Sequence, residues 1–401
     1  METPVPIPNT EVKHFNGENS WACPCEYSKL PVLFFVVFNV YYLIKVLYYK
    51  RMKNLLLLVF TMLFSILLYF PVKYIGNKFN IIAIENDRTI HHGRIVRIGG
   101  VAIYLSFLIV SLLFLRHYRT FDGLIIGASV VFLFGLLDDI FSLKPIVKIF
   151  GQFLAASCAI FIGDICLNNI HLFLGITIQS EIICYFITYL WIIGITNAIN
   201  LLDGLDGLAA GFTIIVFSII ALLSTLIGLS HLIVPLCCIL IGAIGGFLIF
   251  NFHPAKIFMG DCGSQLLGFL ISSISLFGFR KATFVTLMVP IVLLFIPIFD
   301  TFAAIVRRKV SGKAIMSADK GHLHHVLMNK IGLGQVGAVL VIYILTALFG
   351  LTAYLFIVDY RIAIVLLVIL LISLELFVEY TAMISIKYRP ILNLVDKIKR
   401  K

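Results

Sequence analysis

The sequence predicts an all-α polytopic membrane protein with about eleven transmembrane helices, or twelve if an N-terminal apolar stretch is counted. Three observations carry that reading. Of the 401 residues, 61% are hydrophobic and 13% charged, about half the charged share of a soluble domain, and mean hydropathy is +1.07. The apolar residues fall in runs of the length, about 20 residues, that a bilayer requires of a helix. The polar residues capable of chemistry crowd into a few motifs at the ends of those runs. A single water-soluble globule is excluded.

The runs lie at about 54–72, 97–115, 121–137, 146–163, 182–200, 207–228, 232–250, 264–279, 284–306, 335–357 and 361–386, separated by Gly or polar breaks. A further apolar stretch at about 31–48 precedes them. If the long polar loops at 73–96 and 307–334 share a side, alternation puts 138–145, 201–206, 251–263 and the tail after 386 on that side too. Most of the Lys and Arg then gather there, from Lys73 and Arg97 through Lys148 and Arg307 to the basic tail. The other side holds Arg116, Arg119, Arg280, Lys281 and Arg361. Cytoplasmic loops retain positive charge, so the first face is predicted to be cytoplasmic. The net charge of +11 is then topological, and no nucleic-acid partner is needed to explain it.

The same rule bears on the N-terminus. A span at 31–48 would leave Lys50, Arg51 and Lys53 outside, because the run at 54–72 must pass from outside to inside. Two readings follow: residues 1–51 are an extension with an extra apolar helix, or the protein opens at Met52. Either way the membrane domain is 52–386 and a basic cytoplasmic tail occupies 387–401. A cleaved signal peptide is excluded because the cationic residues follow the apolar run. The eight cysteines do not read as a disulfide framework: Cys158, Cys184, Cys237 and Cys238 sit in apolar runs and Cys262 in a polar loop. Cys23-Pro-Cys25 lacks the second pair that a zinc site needs.

Four clusters on the predicted cytoplasmic face carry the chemistry. Asp138-Asp139 ends a span, where adjacent carboxylates need a cation or a shared proton; Lys148, at the start of the next span, can return to them. In NAINLLDGLDGLAAG, Asn197, Asn200, Asp203 and Asp206 recur every three residues, keeping oxygen ligands near one helix side and suiting a hard cation such as Mg²⁺. A plain cap-and-turn reading of the same residues stands beside that one. In HPAKIFMGDCGSQLLG, Asp261 and free helix-start N–H groups could hold a metal-bound diphosphate, and Phe258 could stack on a base or pack against lipid. In SADKGHLHHVL, His322, His324 and His325 lie in a basic loop without zinc spacing, fitting donors to phosphate or sugar or a solvated loop. Asp300, inside an apolar run, reads as a partner for a cation, whereas Glu375 and Glu379 receive no role.

Taken in order, GRIVRIGG, LLDD, NAINLLDGLDGLAAG, KIFMGDCGS and HLHH resemble the polyprenyl-phosphate N-acetylhexosamine-1-phosphate transferases over residues 54–335 and, more loosely, the last two spans. The resemblance implies transfer of an amino-sugar 1-phosphate from a UDP-amino sugar to polyprenyl (undecaprenyl) phosphate in a bacterial plasma membrane, with release of UMP and with Mg²⁺, or Mn²⁺ in its place. It implies a catalytic pair in Asp138 and Asp139, metal binding by Asp261 and Asn200, and substrate contacts from Lys148, Asp203, Asp206, Phe258, His322, His324 and His325. Gly99 and Gly100 would shape the entrance. The HLHH loop is similar to the branch using UDP-N-acetylglucosamine; the phospho-MurNAc-pentapeptide branch, which usually has three consecutive His, is the alternative, and Leu323 interrupts that run here. Direct attack of the lipid phosphate on the β-phosphorus and a covalent Asp intermediate both fit. A homodimer is compatible with the sequence. A secondary transporter, the rival from another class, would place its polar groups near the midplane rather than at one face.

Overall fold

The computed structural model describes residues 30–83, 94–115, 119–167, 170–171, 177–228, 230–277, 284–312, 319, 321–385 and 388–393, with backbone alone along 30–51 and at a few helix ends. Cys23 and Cys25, the loop centre at 84–93 and the tail beyond 393 lie outside the described residues. Contacts divide the chain into two units, Met1–Met52 and Lys53–Lys401.

The helices in chain order are α1 (Leu30–Lys78), α2 (Gly100–Phe114), α3 (Arg119–Phe141), α4 (Pro145–Ser157, continued by a wide turn over Cys158–Ile162), α5 (Glu181–Leu202), α6 (Leu208–Leu226) and α7 (Ser230–Asn251). There follow α8 (Gly260–Phe277), α9 (Phe284–Leu293), α10 (Phe295–Val310), α11 (Leu323–Asn329), α12 (Gly334–Val358) and α13 (Tyr360–Thr381). A two-stranded antiparallel pair, β1 (Ile170–His171) with β2 (Thr177–Ile178), lies between α4 and α5. All eleven expected runs are helical, and among the described residues eight helices are long and apolar enough to cross a membrane: the Met52–Lys78 part of α1, α3, α4 with its wide turn, α5, α6, α7, α12 and α13. The protein is an all-α polytopic membrane protein.

The other three runs depart from a simple span for readable reasons. α2 has 15 residues. The run at 284–306 splits into α9 and α10 at Leu294, because Pro297 has no N–H to give to the Leu293 carbonyl. α8 is rich in Gly and Ser, yet all its residues from Gly260 to Leu276 except Asp261 are buried. It faces protein rather than lipid, and small residues let neighbouring backbones approach. α3 and α5 pack along it, with α2, α6 and α4 around them, and Trp191 of α5 donates Nε1–H to the Ser272 carbonyl at 3.2 Å. A Cβ on Gly135 of α3 would fall 2.6 Å from the Cα of Cys262 and 2.7 Å from the Asp261 carbonyl oxygen. Glycine there lets α3 pass the start of α8 at backbone contact, which brings the end of α3 beside the first turn of α8.

Candidate active site

Four helix ends meet at that point. Asp138 and Asp139 stand in the last turn of α3, Lys148 in the first turn of α4, Asn200 near the end of α5 and Asp261 in the first turn of α8. Lys148 Nζ lies 2.5 Å from Asp138 Oδ2 and 2.7 Å from Asp261 Oδ2. Arg97 mirrors it, with Nε 3.1 Å from Asp139 Oδ1 and NH2 3.0 Å from Asp261 Oδ1. Arg97 reaches this position because its segment is zipped to the one leading into α8. The N–H of Phe258 donates to the Val96 carbonyl at 2.9 Å, that of Gly99 to Phe258 at 2.9 Å and that of Gly100 to Met259 at 2.8 Å.

The two adjacent aspartates have different tasks. Asp138 accepts the N–H of Leu143 at 2.8 Å and so closes the short link into α4. Asp139, its side chain wholly buried, accepts the N–H groups of Asp261 at 2.8 Å and Cys262 at 2.9 Å. It therefore caps α8 from another helix, satisfying donors that a helix start leaves open. The sequence suggested free N–H groups at this helix start for a diphosphate; two of them, those of Asp261 and Cys262, are occupied by Asp139. Gly260, just before them, has φ +75°, the left-handed region that glycine enters without cost from a side chain.

A second polar layer lies beneath. Buried Gln152 of α4 donates Nε2–H to Asn197 Oδ1 and Gln265 Oε1, both at 3.2 Å, and Asn197 returns Nδ2–H to Gln152 Oε1 at 2.7 Å. Gln265 reaches up to Asp261 Oδ2 at 3.5 Å. Asn200 donates Nδ2–H to Ser264 Oγ at 2.8 Å, while its Oδ1 has no donor among the described residues. Asp203 follows α5, half-buried, and its carboxylate likewise meets no donor among the described residues. Burial, with the field of Asp261 and Asp139 added, pushes it up to about 7.

The remaining expected residues are placed differently. Asp206 is buried and turned onto His253 Nδ1 at 2.9 Å and the Ala255 N–H at 3.1 Å, so it ties the 203–207 loop to the loop before α8. Asn251 reinforces that tie, accepting from the Gly207 N–H and donating to the Ile257 carbonyl. His322 pairs with Asp300 at 2.9 Å, and Asp300 also accepts the Leu323 N–H at 2.8 Å; where the sequence suggested a cation, the partner of Asp300 is this imidazole. His324 is buried against Gly204, and burial pushes its imidazole down to about 3. His325 stands 4.3 Å from it, ring centre to ring centre. Arg307 clasps Asp319 and the Met383 carbonyl. Burial alone would raise Asp319, but Arg307 and the Gly321 N–H hold it below the usual carboxylate range. Phe258 meets the Arg97 segment through its backbone; Gly99 lies against the Phe247 ring of α7, and Gly100 packs the start of α2 against the first turn of α8.

Sequence reasoning had counted Arg97 only as a topological charge and had missed Gln152 and Gln265. A signal existed for both glutamines, which lie four residues after Lys148 and Asp261 and so on the same helix faces.

This fold and this cluster fit a membrane-embedded transferase acting on phosphates, and comparison with known proteins agrees. The model for glycosyl transferase family 4 matches residues 121–279. The chain is 35% identical over 357 residues, 88% of its length and 99% of the relative's, to a probable undecaprenyl-phosphate N-acetylglucosaminyl 1-phosphate transferase of Bacillus subtilis. It is 32% identical over 316 residues, 70% of its length and 77% of the relative's, to a decaprenyl-phosphate N-acetylglucosaminephosphotransferase of Mycobacterium tuberculosis. A phospho-N-acetylmuramoyl-pentapeptide-transferase of Staphylococcus carnosus is 31% identical over 63% of this chain and 83% of its own. The chain belongs to glycosyl transferase family 4, in its polyprenyl-phosphate sugar-1-phosphate transferase group.

Proposed function

We propose that the protein transfers N-acetylglucosamine 1-phosphate from UDP-N-acetylglucosamine to undecaprenyl phosphate, releasing UMP, at the cytoplasmic face of a bacterial plasma membrane. The product would open the synthesis of a cell-surface polysaccharide. The names of the Bacillus subtilis and Mycobacterium tuberculosis relatives support the sugar and a polyprenyl phosphate acceptor, undecaprenyl in the first and decaprenyl in the second.

The observation that carries the reading is the charge balance of the site. Asp138, Asp139 and Asp261 confront Arg97 and Lys148, one negative charge in excess, and a bound cation would draw Asp203, otherwise pushed up to about 7, into its ionised form. Among the described residues no three acidic, histidine or cysteine side chains form a ready metal cage. Mg²⁺, with Mn²⁺ as its substitute, suits such a site, because it usually takes one or two carboxylates together with waters and substrate phosphates. Asp261, Asp203 and Oδ1 of Asn200 would hold it, and when bound it would neutralise the diphosphate. Lys148 and Arg97 offset the repulsion between the two substrates' phosphates. Asp138, paired with Lys148, would take a residual proton from the acceptor phosphate.

UMP release by washed membranes tests this. It should require both a divalent cation and undecaprenyl phosphate, and Asp261→Ala should abolish it in a protein that still folds. Substantial residual activity in that variant would refute the metal role, and equal use of UDP-MurNAc-pentapeptide would refute the donor.

A further inference from the structure

Beside the carboxylate cluster lies a cavity of about 590 Å³ that none of the roles above uses, a size typical of small-molecule sites. Arg97 and Asp139 line it, so it opens directly on the cluster; Phe79, Asn80, Arg94, Ile140 and Ser142 are among the rest of the wall. Two of its properties define a ligand. Arg94 is exposed and has no ion pair or hydrogen bond among the described residues, and Arg97, committed to Asp139 through Nε and to Asp261 through NH2, keeps NH1 without a protein acceptor among them. Two guanidinium groups with donors to spare suit a phosphate. The second property is that a wall otherwise rich in polar groups, Asn80 and Ser142 among them, carries two open apolar side chains, Phe79 being 68% and Ile140 44% exposed, at the ends of two membrane-spanning helices. Open apolar side chains at the ends of membrane-spanning helices, beside two guanidinium groups, suit a phosphate carried on a hydrocarbon chain.

We propose that this cavity is the head-group subsite for the lipid acceptor: Arg94 and NH1 of Arg97 hold its phosphate, and its first isoprene units run over Phe79 and Ile140 into the bilayer. The assignment rests on the transferase reading and adds the side of entry, between the ends of α1 and α3.

Equilibrium binding of farnesyl phosphate, a short isoprenoid phosphate, to the purified chain in detergent tests the subsite. Arg94→Gln should weaken binding about tenfold, the change that about 1.4 kcal/mol of lost contact produces, and Arg94→Lys should restore part of it. Phe79→Ala should weaken it several-fold, and inorganic phosphate at the same concentration should not displace the probe, which marks a lipid site rather than a free-anion site. Both side chains are exposed, so the fold should survive the changes. Undiminished binding by Arg94→Gln overturns the proposal, as does loss of UDP binding in its place. Arg94-dependent binding in a protein that releases no UMP would uphold the subsite and overturn the transferase reading alone. UMP release together with Arg94-independent binding would do the reverse.

Discussion

Asp139 offers the sharpest test of how the site is held. Its two oxygens accept the Asp261 and Cys262 N–H groups at 2.8 and 2.9 Å while Oδ1 also meets Arg97 at 3.1 Å. Hydrogen bonds to a charged group contribute about 1.5–3 kcal/mol each. Asp139→Asn keeps the shape and one acceptor but turns an amide NH₂ toward the other donor, so it should cost roughly 2–3 kcal/mol by the same scale. Asp139→Ala leaves both donors of α8 open and should cost about 3–5 kcal/mol, as for breaking a buried pair. The loss should localise. Hydrogen–deuterium exchange should show amides 261–264 losing protection, thermal unfolding should begin earlier, and UMP release should fall because Asp261 sits in the loosened turn. A proton carrier without a structural task would behave otherwise. If the Asn variant lost activity while exchange at 261–264 and the unfolding temperature stayed at wild-type values, the capping argument would be wrong.

Gly260→Ala should cost about 1–3 kcal/mol, because φ is +75° and the new Cβ would fall 2.5 Å from Asp139 Oδ2; thermal unfolding of the purified protein measures it. Lys148→Met keeps the stem but leaves Asp138 and Asp261 without their shared cation, and kcat for UMP release should fall about 10²–10³-fold with helix content unchanged by circular dichroism. His324 should remain neutral in the folded protein well below the usual imidazole range, since burial pushes it down to about 3. A folded value below the unfolded one of about 6.5 means that this stability is complete above pH 6.5 and drains away as pH falls from there toward 3. Exchange at 323–330 should therefore quicken with acid, and His324→Gln should flatten that dependence.

Much of the architecture is legible because lipid imposes a simple demand on sequence, a long apolar run for each exposed helix. The runs that departed from this rule did so where the demand lapses: α8 is surrounded by other helices, and α9 and α10 are parted by proline chemistry. The site was legible in part for a related reason, since charged residues at span ends stand out against an apolar background. What could not be read was pairing. Asp206 has the same spacing from Asp203 as Asp203 has from Asn200, yet the turn at Gly204 and Gly207 carries its side chain away to His253. Arg97 lies more than 40 residues from Asp139 and 164 from Asp261, and its place depends on a backbone zipper with 258–259 that no side-chain pattern announces.

Adjacent aspartates are an expensive motif at a membrane edge, and the geometry explains why two are needed there. Consecutive residues on a helix point about 100° apart, so Asp138 and Asp139 cannot serve the same neighbour. One turns to α4, where it meets Lys148, and the other to α8, where it holds the first turn. Lys148 and Arg97 then converge on Asp261 from opposite sides. The pair therefore fixes the cation and the acid relative to one another before any substrate arrives, so that little reorganisation remains when phosphate charge enters the site. A single aspartate at either position could anchor one of the two helices but could not set the distance between them.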